Sequence, residues 1–287
     1  MPTLATQSTW QYVGRVAATG LVDARQQLHH ALQIIVSAPI SYLEKRADDS
    51  HTNLEWLPEL KSLGTNWLER GTRMRLALRP ETLSLLAIDA NEQVVSEFTL
   101  SGQTTDGAVA WLRGVLTAAG YDRAAFTTHK HYEIPSHPVA FGATYDLGDA
   151  APFAELGRYY SNAHWLTSRV AAARSDAAPP RCWPHHFDLA TLITLPRVAG
   201  RTDRSVGVGL SPGDDSYAEP YFYVGPYPHP RTDRLRPLGS LGTWHTHGWV
   251  GAVLRGSEIA AFDEPRQGDA VRAFADAAIE ASIEALR

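Results

Sequence analysis

The stretch Cys182-Trp-Pro-His-His-Phe-Asp-Leu-Ala190 places a thiol, two imidazoles and a carboxylate within seven residues. Read as the start of a buried strand, it sends His186 and Asp188 to one face and Trp183, His185 and Phe187 to the other. A histidine held by a carboxylate on a rigid strand is an oriented general base, or half of a metal site. Glu219, in Glu219-Pro-Tyr-Phe-Tyr223, offers the second carboxyl group that acid–base chemistry needs, one ionised while the other is protonated. Trp183, His185, Tyr221 and Tyr223 would then line a ligand with ring faces and hydroxyl handles. The same aromatic density also suits packing between a sheet and a helix.

His245-x-His247 on a strand puts two imidazoles on one face. That spacing suits Zn²⁺ or a similar divalent ion if His186, Asp188 or Glu219 supplies a third ligand. Gly248 follows directly, so the pair equally suits the tip of a hairpin. His129, His131, Glu133 and His137 gather around Pro135 and Pro138, which reads as a polar linker or a ligand-bearing loop. Cys182 is close to both His185 and His186, yet a lone cysteine entering a strand reads as a buried structural thiol. Gly207-x-Gly209-Leu-Ser-Pro-Gly213 is not read as a phosphate loop, because Pro212 and Asp214-Asp215 stand where a helix N-terminus should begin. Arg73 and Arg75 share a strand face that could hold an anion, and a solvated face is the favoured reading.

These side chains need elements to hold them. Apolar residues recur at helical spacing over Leu21–Ser37, with Pro39 as the stop, and over Asp106–Ala119, with Gly120 as the cap. The same period runs over Ala151–Arg174 and Gly268–Leu286. Strand-like runs lie between the first two helices, at Asn53–Leu57, Arg73–Leu78, Leu83–Asp89 and Val94–Leu100. Others lie between the last two, at Phe187–Leu195, Ser205–Leu210, Tyr221–Val224 and a hairpin through Thr243–Leu254. Consecutive strands without intervening helices predict antiparallel sheet, hence an α+β protein. The order helix, four strands, helix occurs twice and predicts pseudo-duplicated halves. The organisation expected is an N-terminal extension over 1–20, a first half over 21–125, a linker over 126–150 and a second half over 151–287, with one integrated domain as the alternative.

Composition bounds the function. With 44% hydrophobic and 20% charged residues, the 287-residue chain can bury a substantial core. A formal charge of −5, few lysines and scattered arginines argue against nucleic-acid binding, which needs clustered cations. One cysteine forms no intramolecular disulfide, residues Met1–Gly20 lack a signal-peptide pattern, and no apolar run has membrane-spanning length. A cytoplasmic, non-membrane protein is expected.

The segments Trp183-Pro-His-His-Phe-Asp-Leu-Ala190 and Glu219-Pro-Tyr-Phe-Tyr223, with Tyr227-Pro228, resemble a bacterial family of unknown function. That family carries an aromatic-x-x-Phe-Asp-Leu-Ala motif followed by Glu-Pro-x-Phe-Tyr. Leu28-His29 continuing into Gln33-Ile-Ile35 is similar to its first helix, and the likeness runs from about Leu21 to the last helix. The resemblance implies no particular activity. Three functions stay open. The first is a small-molecule site, as an enzyme or a binder, with His186, Asp188 and Glu219 catalytic and Trp183, His185, Tyr221 and Tyr223 on the ligand. The second is a scaffold that self-associates as a homo-oligomer. The third is a metal-dependent enzyme using His245 and His247, with a divalent ion as cofactor.

Overall fold

A computed structural model describes residues 9–197 and 202–287, so residues 1–8 of the expected N-terminal extension lie outside the described residues. Contacts group the chain into two units. One holds Thr19–Gly157 with Arg181–Asp188; the other holds the chain up to Ala18, Arg158–Pro180 and Leu189–Arg287. The segment between Tyr121 and Ala150, read from its prolines and glycines as a boundary, belongs to the first unit.

The first unit is built on helix α1 (Val22–Tyr42). Leu28, Leu32 and Ile35 are fully buried, as the helical period requires. Pro39 does not stop this helix as the sequence predicts. A proline inside a helix costs about 3 kcal/mol, and tertiary anchoring of the last turn offsets it. Tyr42 is buried there, its hydroxyl donating to the Asp122 carbonyl at 2.9 Å and its ring 5.0 Å from that of Tyr121. Six strands pair antiparallel: β1 (Leu54–Leu57), β2 (Ser62–Thr65), β3 (Met74–Arg79), β4 (Ser84–Asp89), β5 (Val94–Thr99) and β6 (Arg181–Trp183). Their order is β6-β1-β2-β3-β4-β5.

Two of these strands escape the sequence pattern. Strand β2 is Ser-Leu-Gly-Thr, whose four residues carry no apolar alternation. A Cβ on its Gly64 would come within 2.7 Å of the end of the Leu57 side chain, which would have to shift. Strand β6 is three residues long and pairs through Cys182 opposite Leu54. Arg75 of β3 is not solvated as expected: it is buried, ion-paired to Glu55 and Glu92, with its guanidinium over the Trp67 ring. Helix α2 (Thr105–Ala118) begins with the Thr104 hydroxyl accepting from the Gly107 amide, and Gly120 follows its end at φ +85°.

In the second unit, helix α3 (Ala151–Ala173), which the grouping divides at Arg158, supplies buried Tyr160, Ala163 and Val170. Five antiparallel strands follow: β7 (Asp188–Thr194), β8 (Ser205–Ser211), β9 (Tyr221–Tyr227), β10 (Thr243–His245) and β11 (Gly251–Arg255), in the order β10-β11-β9-β8-β7. A short helix α4 (Gly256–Ala260) and the long α5 (Glu264–Ala285) close the chain. Val271, Phe274, Ala275, Ala278 and Ser282 of α5 are buried. Gln267 is wholly buried on the same helix and holds the N-terminal segment. Its Oε1 accepts from the Trp10 indole and the Val13 amide, and its Nε2 donates to the Val13 carbonyl.

Candidate functional site

Strand alternation does not place His186 beside Asp188. Residues Pro184–Phe187 form a turn, the Phe187 amide donating to the Trp183 carbonyl at 2.7 Å, and Phe187 has φ +58°. β7 starts only at Asp188, so the left-handed residue between them breaks the two-residue period on which the shared face depended. His186 is exposed, with its ring 4.4 Å from that of His185. Trp183 meets His185 edge-on at 6.2 Å. Cys182 is fully buried, and burial together with the neighbouring Asp188 charge pushes its thiol well above the usual range, which makes it an inert core group.

The turn is held by α1 through His29 and Gln33, to which the sequence assigned no chemical role. The Pro184 carbonyl accepts from His29 Nε2 and from Gln33 Nε2, both at 2.8 Å. His29 is stacked on Phe187 at 5.0 Å, and burial lowers its pKa to about 4, so the ring is neutral with its hydrogen on Nε2. Gln33 Oε1 accepts from the Tyr132 hydroxyl at 2.9 Å, and burial raises the Tyr132 pKa, which keeps that hydroxyl a donor. Tyr132 in turn lies 5.7 Å from His185.

Tyr132 belongs to the irregular segment from Thr127 to His137, which α1 pins at spaced points. The Ser41 hydroxyl accepts from the Thr127 amide at 2.9 Å, Gln33 takes Tyr132, and His30 Nε2 donates to the Pro135 carbonyl at 2.9 Å. The histidines of this segment aim at different carboxylates rather than converging. His131 Nε2 bonds Asp49 at 3.0 Å and His137 Nε2 bonds Asp23 at 3.1 Å.

Between this segment, α1 and α2 lies a cavity of about 450 Å³, within the range that accepts a small organic ligand. His30, Gln33, Ile34 and Ser37 face it from α1, at the i, i+3, i+4 and i+7 positions of one helical face. α2 adds Asp106, Val109, Ala110 and Arg113. Lys130 reaches in from the loop, half-buried, its ammonium donating to the Thr128 carbonyl at 3.0 Å. Among the described residues neither Lys130 nor Arg113 forms an ion pair; the Arg113 guanidinium lies over the Phe126 ring. Burial pulls the Lys130 pKa down to about 8. The sequence did carry one signal for this site, the polar residues His30, Gln33 and Ser37 at i, i+3 and i+7 of one helix.

In the second unit, Glu219 is buried as a helix cap. Its Oε2 accepts from the Ser257 amide at 2.6 Å and its Oε1 from the Ser257 hydroxyl at 3.0 Å, at the first turn of α4. Tyr221 and Tyr223 stand on β9 with rings 6.3 Å apart, and the Tyr221 hydroxyl donates to Asp214 at 2.5 Å. His245 is stacked on Trp249 at 4.3 Å. Its Nε2 donates to the His247 carbonyl at 2.6 Å and its Nδ1 bonds the Tyr217 hydroxyl at 3.0 Å, so both ring nitrogens are engaged. His247 lies beyond the end of β10, its ring 6.4 Å from that of His245, which removes the shared strand face. Among the described residues no group of three or more His, Cys, Asp or Glu is placed to hold a metal ion.

No described helix is long and apolar enough to cross a membrane. Comparisons with models of known protein families, with curated proteins and with solved structures find no match.

Proposed function

We propose that this chain is a small-molecule protein whose site is the open cavity lined by α1, α2 and the loop residues Thr128 and Lys130, and that its ligand is a small organic anion with an apolar body. The observation that carries the reading is the pair of cations, Lys130 and Arg113, facing one cavity without a carboxylate partner among the described residues. A half-buried ammonium lacking a counter-charge is costly, and a ligand carboxylate relieves that cost. Ile34, Val109 and Ala110 supply apolar wall. In this reading the Trp183–Asp188 turn braces the site from behind, through Pro184 on Gln33. The Glu219–Tyr227 strand carries a second polar and aromatic surface around Asp214, Tyr217 and His245. Both units join long helices to antiparallel strands, which supports a pseudo-duplicated fold; superposing one unit on the other tests that part of the proposal.

Calorimetric titration with hexanoate and benzoate tests the site. Wild-type protein is expected to bind, and Lys130→Met to weaken binding by roughly ten- to a hundredfold, the worth of one charge-assisted hydrogen bond. Equal affinity in wild type and Lys130→Met would contradict the assignment.

A further inference from the structure

We infer that Lys130 is a covalent anchor in this cavity, and that the ligand class is a 2-oxo acid held as an imine; the inference rests on the small-molecule reading above. The chain has lysines only at 45, 61 and 130. Lys45 is exposed, and Lys61 is exposed and paired with Glu81 at 3.7 Å. Lys130 lines the cavity, and among the described residues its hydrogen bond goes to a neighbouring backbone carbonyl, with no ion pair to a carboxylate. A desolvated lysine beside other cationic or imidazole groups is the arrangement that makes an amine nucleophilic near neutral pH. With its pKa pulled to about 8, about one-tenth of Lys130 is free amine at pH 7.

His30 supplies the proton traffic. Its Nε2–H is committed to the Pro135 carbonyl, so the neutral ring keeps its lone pair on Nδ1. Burial favours that neutral form, and the Lys130 charge acts on the same ring, which places the two groups within electrostatic reach. The step balances without any further reagent. The Lys130 amine lone pair forms the C–N bond to the ligand's ketone carbon, and the carbonyl π pair passes to oxygen. His30 accepts one proton from the nitrogen and returns it to that oxygen, giving the carbinolamine. The nitrogen lone pair then closes the C=N bond as the hydroxyl leaves, and His30 passes the nitrogen's second proton to it, giving water. One ketone and one amine give one imine and one water. Arg113 would hold the ligand carboxylate.

The test incubates intact protein with 2-oxohexanoate and sodium cyanoborohydride and maps the reduced adduct by peptide mass spectrometry. The expected result is one adduct per chain on the Lys130 peptide, formed at least about tenfold faster than at the exposed Lys45 or Lys61. Excess hexanoate should protect it, and Lys130→Arg should abolish it. Equal labelling of all three lysines, or no adduct although 2-oxohexanoate binds, would overturn the imine while leaving the anion site intact. Failure of hexanoate itself to bind would overturn the underlying reading.

Discussion

His29 and Gln33 decide the local chemistry because each is a buried polar group on α1 bonded to the Pro184 carbonyl. His29 is folded as a neutral donor with its pKa near 4, whereas an unfolded histidine titrates near 6.5. Between those values the unfolded chain binds the extra proton, so stability is complete above about pH 6.5 and falls as pH drops toward 4. The loss reaches about 3 kcal/mol for this one residue. Urea unfolding of His29→Gln from pH 7 to pH 4 is expected to show a shallower decline than wild type, since glutamine still offers a donor to Pro184 but does not titrate. A decline of unchanged steepness would mean that His29 is not held neutral. At this scale the sequence was partly legible. The chemistry-bearing types around Cys182–Asp188 were visible, but their directions hung on strand alternation, and the left-handed Phe187 broke it. Lys130 was overlooked because a cation in a segment read as a linker gives no sign of burial.

At the scale of elements, most helices and strands follow from period alone. Helices α2 and α3 lie within a residue of the expected spans, while α5 begins four residues earlier, at Glu264 with Pro265 in its first turn. The departures have local causes. α1 outruns Pro39 because Tyr42 anchors its last turn, and β2 and β6 are too short for a pattern to register. Gly209, inside the expected strand Ser205–Leu210, shows why a strand there takes a glycine. It sits in β8 opposite Ala190, where a Cβ would meet the Leu189 carbonyl at 2.5 Å and the Ala190 Cβ at 2.7 Å. Since backbone rather than a flexible side chain blocks the space, Gly209→Ala is expected to destabilise by about 1–3 kcal/mol in urea unfolding. A value near zero would mean that β7 and β8 separate more readily than their register indicates.

For the whole molecule, composition and strand order were enough to assign an α+β architecture with antiparallel sheet. They did not reveal how distant segments combine, because side-chain partners far apart in sequence leave no periodic trace. Gln267 gathers Trp10 and Val13 from the other end of the chain, and Gln33 ties Pro184 to Tyr132. The second of these ties links the motif that drew attention in the sequence to the cavity proposed as the site. A competing location exists in the same unit, an apolar groove of about 700 Å³ lined by Met74, Val95, Trp111 and Val115. Methyl-labelled NMR during titration with hexanoate separates the two most directly. Saturable shifts of the Ile34 and Val109 methyl signals are expected, with Val95 and Val115 unmoved; shifts confined to Val95 and Val115, or none, would rule out the Lys130 cavity as the site.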